Sequence, residues 1–184
     1  MRKLTSWPGP ILETERLILR PPIAEDFEGW CAFHGDKEAM TYLSGIQSPP
    51  VVWRTMRASV GAWVLDGFHF FSVIEKSTGN WIGRVGPMYP HDWPGPEVGW
   101  GLLSTYWGKG YAREAATRAI NFAFDNLGWN RVLHLIHPEN IRSQALAKAL
   151  GSHCVGPGRM PDPYSQIPVD IWSQSKEEWN GRRG

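Results

Sequence analysis

Gly108, Lys109 and Gly110 stand between a stretch of strand character and one of helical periodicity. A strand that enters a helix through a bare-backbone turn aims unpaired main-chain N–H groups, and the positive end of the helix, at one point in space. That arrangement suits a phosphate or pyrophosphate. Lys109 adds one cation, although its side chain can equally turn to water. Two common phosphate motifs fail on these residues. A dinucleotide fingerprint needs a third glycine where Arg113 stands, and a P-loop ends in Gly-Lys-Ser/Thr, which is absent here. The earlier Gly99-Trp100-Gly101 has Ser104 in the third place. Alone, a Gly-x-Gly turn serves an ordinary strand-to-helix connection as readily as a ligand loop, so its surroundings decide.

Other chemically capable residues are scattered. His134 and His137, three apart on an expected strand, fall on opposite faces and make a poor metal pair, and His153 and Cys154 lack partners at ligand spacing. No metal is expected. Cys31 and Cys154 are the only cysteines and imply no disulfide framework, which fits a cytoplasmic protein. The apolar core of a signal segment after Arg2 and Lys3 is interrupted by Ser6, Pro8, Gly9, Glu13 and Glu15. Nineteen basic and eighteen acidic side chains leave a formal charge of +1. With so little field, and only Arg182 and Arg183 as a basic tail, neither nucleic acid nor a membrane is expected as a partner.

The elements that must position these residues follow from periodicity. At 184 residues, with 42% hydrophobic content, the chain is expected to fold as one domain over residues 1–184. Strands are expected over 16–20, 68–76, 81–89, 97–103, 131–137, 152–155 and 169–173, with the turn at 77–80 making a hairpin. Helices are expected over 24–34, 50–65, 112–126 and 140–150; the third carries an alanine-rich apolar stripe, and Gly151 caps the fourth. This order describes a mixed α/β layer arrangement. Nine of the eleven tryptophans divide by position: Trp100 and Trp107 flank the glycine loop, Trp30, Trp53, Trp63 and Trp93 fall together in other segments, and Trp81, Trp129 and Trp172 sit at strand edges.

Trp107-Gly108-Lys109-Gly110-Tyr111-Ala112, the following Glu114-Ala115, and Asn140-x-x-Ser143 before Leu150-Gly151 resemble the GNAT acetyltransferases, in particular the branch of ribosomal-protein N-terminal acetyltransferases. Thr14 to Arg20 and Asp26 resemble that branch's first strand and helix, so the likeness covers about residues 12 to 155. Thr105 departs from the Gln or Arg that often begins the family's glycine loop. The resemblance implies a central, mostly antiparallel sheet splayed at a bulged strand and flanked by helices. It implies acetyl-CoA as acetyl donor, its pyrophosphate held by Gly108, Lys109, Gly110, Tyr111 and Ala112 beside Trp107. Its pantetheine arm would pair with the backbone of Gly101, Leu102 and Leu103, with Gly99 and Gly101 suiting the bulge. Asn140 and Ser143 match a second cofactor-side motif, and Asn140 also reads as a helix N-cap.

Acetyl transfer requires a neutral amine, because an ammonium has no lone pair. Glu97, where relatives often carry a carboxylate, is the candidate base, acting through water; a plain surface carboxylate is the competing reading. An N–H of the strand around Gly101 and Leu102 is the candidate oxyanion donor. The tyrosine that many relatives use as acid is Ala147 here, which leaves Ser143 as replacement, and Tyr111 is expected to pack. The expected acceptor is a primary amine, on a protein N-terminus or a small molecule, near Trp30, His34, Tyr42, Trp53 and residues 91–96. The protein would act as monomer or homodimer. A non-catalytic acyl-CoA-binding module and a nucleotide-dependent oxidoreductase are the competing classes.

Overall fold

The computed structural model describes residues 9–182, so the readings made on Arg2, Lys3, Ser6, Pro8 and Arg183 lie outside the described residues. Short strands β1 (Leu12–Glu13) and β2 (Leu17–Arg20) lead into α1 (Phe27–Gly35), α2 (Lys37–Met40) and α3 (Pro49–Leu65). Then come β3 (Phe71–Glu75), β4 (Trp81–Met88), β5 (Glu97–Leu102), α4 (Tyr111–Asp125), β6 (Arg131–Ile136), α5 (Ile141–Leu150), β7 (His153–Gly158), β8 (Val169–Ser175) and α6 (Lys176–Gly181). They form one eight-stranded sheet in the order β1-β2-β3-β4-β5-β6-β8-β7. Every pairing is antiparallel except β5 with β6.

That parallel pairing is the point of interest. β5 and β6 register at a single pair, Glu97 with Leu133, and then part, whereas β4 and β5 pair without interruption from Gly83 opposite Leu102 to Met88 opposite Glu97. The expected splay is present, but the expected bulge at Gly99 and Gly101 is not: the register irregularities fall at Val73/Ile74 and Cys154/Gly156. The two glycines have a different cause. A Cβ on Gly101 would lie 2.6 Å from the Phe33 ring and one on Gly99 3.0 Å from the Phe70 ring, so close aromatic cover explains them.

Alternation assigns the faces. Leu17, Leu19, Phe71, Val73, Val85, Val98 and Leu102 bury against the alanine-rich face of α4 (Ala115, Ala116, Ala119, Ala123), whose small side chains let helix and sheet approach closely. The opposite face receives α1 and α3, joined by Trp30, Val52 and Met56. A buried carboxylate locks this layer: Asp26 accepts both Arg20 Nη atoms at 2.7 Å, the Ile23 N–H and the Ser72 hydroxyl. Trp63 belongs to the main core, edge-on to Phe71 and donating to the Phe70 carbonyl at 3.1 Å, and β3 starts at Phe71 rather than at residue 68. β1, α2 and α6 are too short to show a period; α2 and α6 are announced only by their caps, Asp36 and the Ser175–Glu178 capping box.

Candidate active site

The splay exposes one edge of β5, and the pairing with β4 decides which groups lie on it. Leu103 N–H donates to the Ile82 carbonyl at 3.0 Å. With the register 102–83, 101–84, 100–85, the alternation of an antiparallel ladder turns the amides and carbonyls of Gly101 and Gly99 toward β4, and those of Leu102, Trp100 and Val98 toward β6. Of the three residues expected to meet a pantetheine arm, Gly101 and Leu103 therefore spend their N–H groups within the β4–β5 pair. The Leu102 N–H faces the opening, while its carbonyl already accepts from Trp107 Nε1 at 3.0 Å. Trp100, which the sequence reading did not include, supplies the other outward main-chain pair. Gly101 is corrected from oxyanion donor to a residue that makes room for Phe33.

The glycine loop has the expected form. Gly108 (φ 74°) and Gly110 (φ 81°) adopt the left-handed conformation, and α4 starts at Tyr111. Among the described residues no protein acceptor meets the N–H groups of Gly108 through Ala112, whereas Trp107 N–H is taken by the Ser104 carbonyl. Open amides at a helix start can receive an anion. Lys109 lays its ammonium 4.9 Å from the Tyr106 ring centre. Tyr111 is held by its hydroxyl donating to Glu75, consistent with packing rather than acid chemistry. The Glu114 carboxylate accepts from Thr14 Oγ1, Arg16 N–H and Arg16 Nε; burial raises its pKa, but these bonds outweigh burial and hold it low. Arg16 also donates to the Lys109 carbonyl at 2.9 Å, so β2 and α4 fix the loop together.

Glu97 is not a surface carboxylate. It is 7% exposed at the vertex of the splay, and its oxygens accept from Trp93 Nε1 (2.7 Å) and Leu135 N–H (3.2 Å). Burial pushes its pKa up to about 7, and the Leu135 and Trp93 N–H groups and the Arg84 charge keep it from rising further. Arg84 is the residue sequence reading missed. It lies on β4 opposite Gly101, its guanidinium 4.2 Å from the Phe70 ring, and burial lowers its pKa to about 10. A lone cation in the apolar run Ile82 to Pro87 was the available signal.

Across the opening, Asn140 caps α5 by accepting Ser143 N–H at 3.1 Å, which leaves its side-chain NH₂ uncommitted in that contact. The Ser143 hydroxyl accepts from Trp100 Nε1 at 3.2 Å and retains its own proton. Ala147 is fully buried in a cluster with Ile136 and Trp172 against which Trp100 packs, so an indole fills space beside the missing tyrosine. His134 bridges the splay, with Nδ1 2.7 Å from the Val98 carbonyl and Nε2 3.0 Å from Ser152 Oγ; burial, partly opposed by the Val98 bond, drops its pKa to about 4. His137 meets the Tyr42 ring at 4.9 Å, joining the end of α2 to the end of β6. Asp36 ties that region to β5 by accepting Ser104 N–H at 2.8 Å. Trp53 stands 37% exposed at the edge of Phe27, apart from these contacts. Among the described residues, no group of His, Cys, Asp and Glu could hold a metal ion, and no helix is long and apolar enough to cross a membrane.

The sequence profile of the family described as "Acetyltransferase (GNAT) domain" matches residues 16–153. Among curated proteins, the chain is 32% identical over 175 residues to the uncharacterized N-acetyltransferase p20 of Bacillus licheniformis, spanning 92% of this chain and 98% of that protein. It is 25% identical over 172 residues to the uncharacterized N-acetyltransferase YnaD of Bacillus subtilis, spanning 92% and 99%. Among solved structures, an acetyltransferase from Agrobacterium tumefaciens superposes with a TM-score of 0.81 at 27% identity, over 96% of this chain and 100% of that one. A Vibrio cholerae protein described as a ribosomal-protein-serine acetyltransferase does so with a TM-score of 0.79 at 25% identity, over 92% and 99%.

Proposed function

The chain belongs to the GNAT acetyltransferase family, and from that premise we propose that it moves the acetyl group of acetyl-CoA onto a primary amine by direct attack, with both substrates bound together. The observation that carries this reading is the meeting, at one vertex, of a buried carboxylate that titrates near neutrality and a strand edge of outward main-chain groups leading to an anion cradle. Bound acetyl-CoA would supply a thioester carbonyl carbon open to a nitrogen lone pair. The amides of Gly108 through Ala112 hold the pyrophosphate, and Leu102 and Trp100 align the pantetheine arm as an added strand would be aligned. Asn140 offers its side-chain NH₂ to the same arm.

Glu97, half ionised near pH 7, takes the proton from the acceptor ammonium through water, leaving a nitrogen able to attack. As the C–N bond forms, the Leu102 N–H stabilises the charge that develops on the carbonyl oxygen. As the C–S bond breaks, the nitrogen now bonded to the acetyl carbon releases its second proton to solvent, and Ser143 gives its hydroxyl proton to the leaving sulfur and recovers one from solvent. With a thiol pKa of about 8.5 that help is modest, which is consistent with a chain lacking the tyrosine. The likeness to a ribosomal-protein-serine acetyltransferase makes protein N-terminal amines one acceptor class, beside small amines.

The test is release of free thiol from acetyl-CoA across a panel of peptides and small amines. Turnover dependent on one acceptor class is the expected result. Saturable acetyl-CoA binding with no turnover on any amine would replace this reading with an acyl-CoA-binding module.

A further inference from the structure

Buried polar atoms without a hydrogen-bond partner are few in folded proteins, and each asks for an explanation. Here most gather on the α1 side of β4 and β5: Trp30 Nε1, both ring nitrogens of His34, Gln47 Oε1 and Arg84 Nε. They are neighbours. The Trp30 and His34 rings stack at 5.9 Å, Arg84 lies 5.9 Å from the Trp30 ring centre, and Gln47 N–H donates to the His34 carbonyl. His34 is 2% exposed.

Arg84 is the centre of this group. Phe70 and Phe33, at 4.2 and 5.5 Å, give its guanidinium flat cover, but rings offer no acceptor to N–H groups in its plane. Among the described residues no oxygen accepts a hydrogen bond from it. Glu97 acts on it only through its charge, with both carboxylate oxygens already accepting from Trp93 and Leu135. Of the other titratable groups that face it, His34 and His69 bring no anion, because burial and Arg84 itself keep both imidazoles neutral, and Tyr164 makes no hydrogen bond to it. A planar guanidinium whose buried Nε meets no acceptor matches a carboxylate. A phosphate dianion fits poorly, because one cation stands there with a carboxylate close by.

The position relative to the base completes the argument. The place a Cβ would occupy on Gly99 lies 3.0 Å from the Phe70 ring and 3.6 Å from Glu97 Oε1, and Arg84 rests on that same ring. Glu97 and Arg84 thus flank one aromatic ring on one face of the sheet. We propose that the acceptor is a small amine that also bears a carboxylate, the carboxylate seated on the Arg84 guanidinium and the amine turned to Glu97. This rests on the acetyl-transfer reading and narrows it from amines in general to amino-carboxylates, leaving peptide N-termini, whose first carbonyl is neutral, as the competing acceptor.

The experiment uses matched pairs: each common L-amino acid and β-alanine, its primary amide, and a tripeptide that begins with it. Thiol release and calorimetric binding to the protein–CoA complex are measured for the native chain and for Arg84→Gln. The best amino-carboxylate should exceed its amide and tripeptide at least ~10-fold in kcat/KM, mainly through KM, and Arg84→Gln should erase that margin while acetyl-CoA affinity holds. Should Arg84→Gln fail to fold by circular dichroism, Arg84→Lys serves, with the margin shrinking because the planar fork is lost while the charge stays. Equal or better use of amides or tripeptides by the native chain overturns the proposal, and so does a margin that survives both variants. Acetylation of some amine without a carboxylate preference defeats this proposal alone. Preferential binding of an amino-carboxylate with no acetylation of any amine defeats the acetyl-transfer reading and leaves the Arg84 site standing.

Discussion

Glu97 shows how much one side chain's surroundings decide. A carboxylate in water ionises near pH 4.3 and is a weak base at neutral pH; buried at the vertex of the splay, this one titrates at about 7, where it is both present as a base and strong enough to act. Two N–H donors, from Trp93 and Leu135, also aim it. With Glu97 as the proposed base the ionised form is the working one, so kcat/KM should rise with pH through about 7 before levelling. Glu97→Gln should lower kcat by ~10²-fold or more and remove that inflection, with acetyl-CoA affinity nearly unchanged, as a pH–rate series with a responsive acceptor would read. An unaltered profile in the variant would remove Glu97 as the base.

At the scale of elements, the cradle depends on how β5 hands the chain to α4. Gly110 sits at φ 81° immediately before the helix, a conformation that β-branched residues rarely adopt, and a Cβ there would approach Arg16 Nη2 at 3.3 Å. Arg16 in turn holds the Lys109 carbonyl. Gly110→Val should therefore twist the loop, disturb its anchor and weaken acetyl-CoA binding at least ~10-fold, while far-UV circular dichroism shows the fold retained. Normal acetyl-CoA binding by that variant, measured by calorimetry, would show that the loop is not the cradle. The edge of β5 carries a parallel lesson. The side chains of 101, 102 and 103 are easily read from the sequence, but which backbone amide points into the opening depends on the register with β4, and that register selects Leu102 and Trp100.

Across the whole molecule, burial sets a pH dependence of stability. His34, His69 and His134 are held neutral by burial down to about pH 4, whereas in the unfolded chain they take up protons near 6.5. Their contribution is fully present above pH 6.5 and is lost as pH falls toward 4. Glu97 has the opposite sign: its folded pKa lies above the unfolded one, so its contribution is present at low pH and is lost as pH rises from about 4.5 to 7. Three imidazoles against one carboxylate leave a net rise in stability from pH 4.5 to 6.5. Urea midpoints measured across that range should climb and then flatten above 7, and a flat series would mean the imidazoles are not buried as neutral rings.

Much of this protein was legible in the sequence because the signals are local. The alanine stripe of α4, the left-handed glycines 108, 110 and 151, the turn at 77–80 and the Asn140 cap each follow from a few adjacent residues, and the segments 107–112 and 140–151, with 14–20 and Asp26, carried the family resemblance. Glu97 and Ser143 were legible as candidates through that resemblance. Tertiary structure alone decided the rest. Gly99 and Gly101 are glycines because Phe70 and Phe33 arrive from distant segments, not because the strand bulges. Arg84 became a site only when three rings from elsewhere enclosed it without an acceptor, and Glu97 gained its pKa only from burial that no neighbour in sequence supplies. Local patterns set backbone preference, whereas desolvation, register and close approach exist only once remote segments meet.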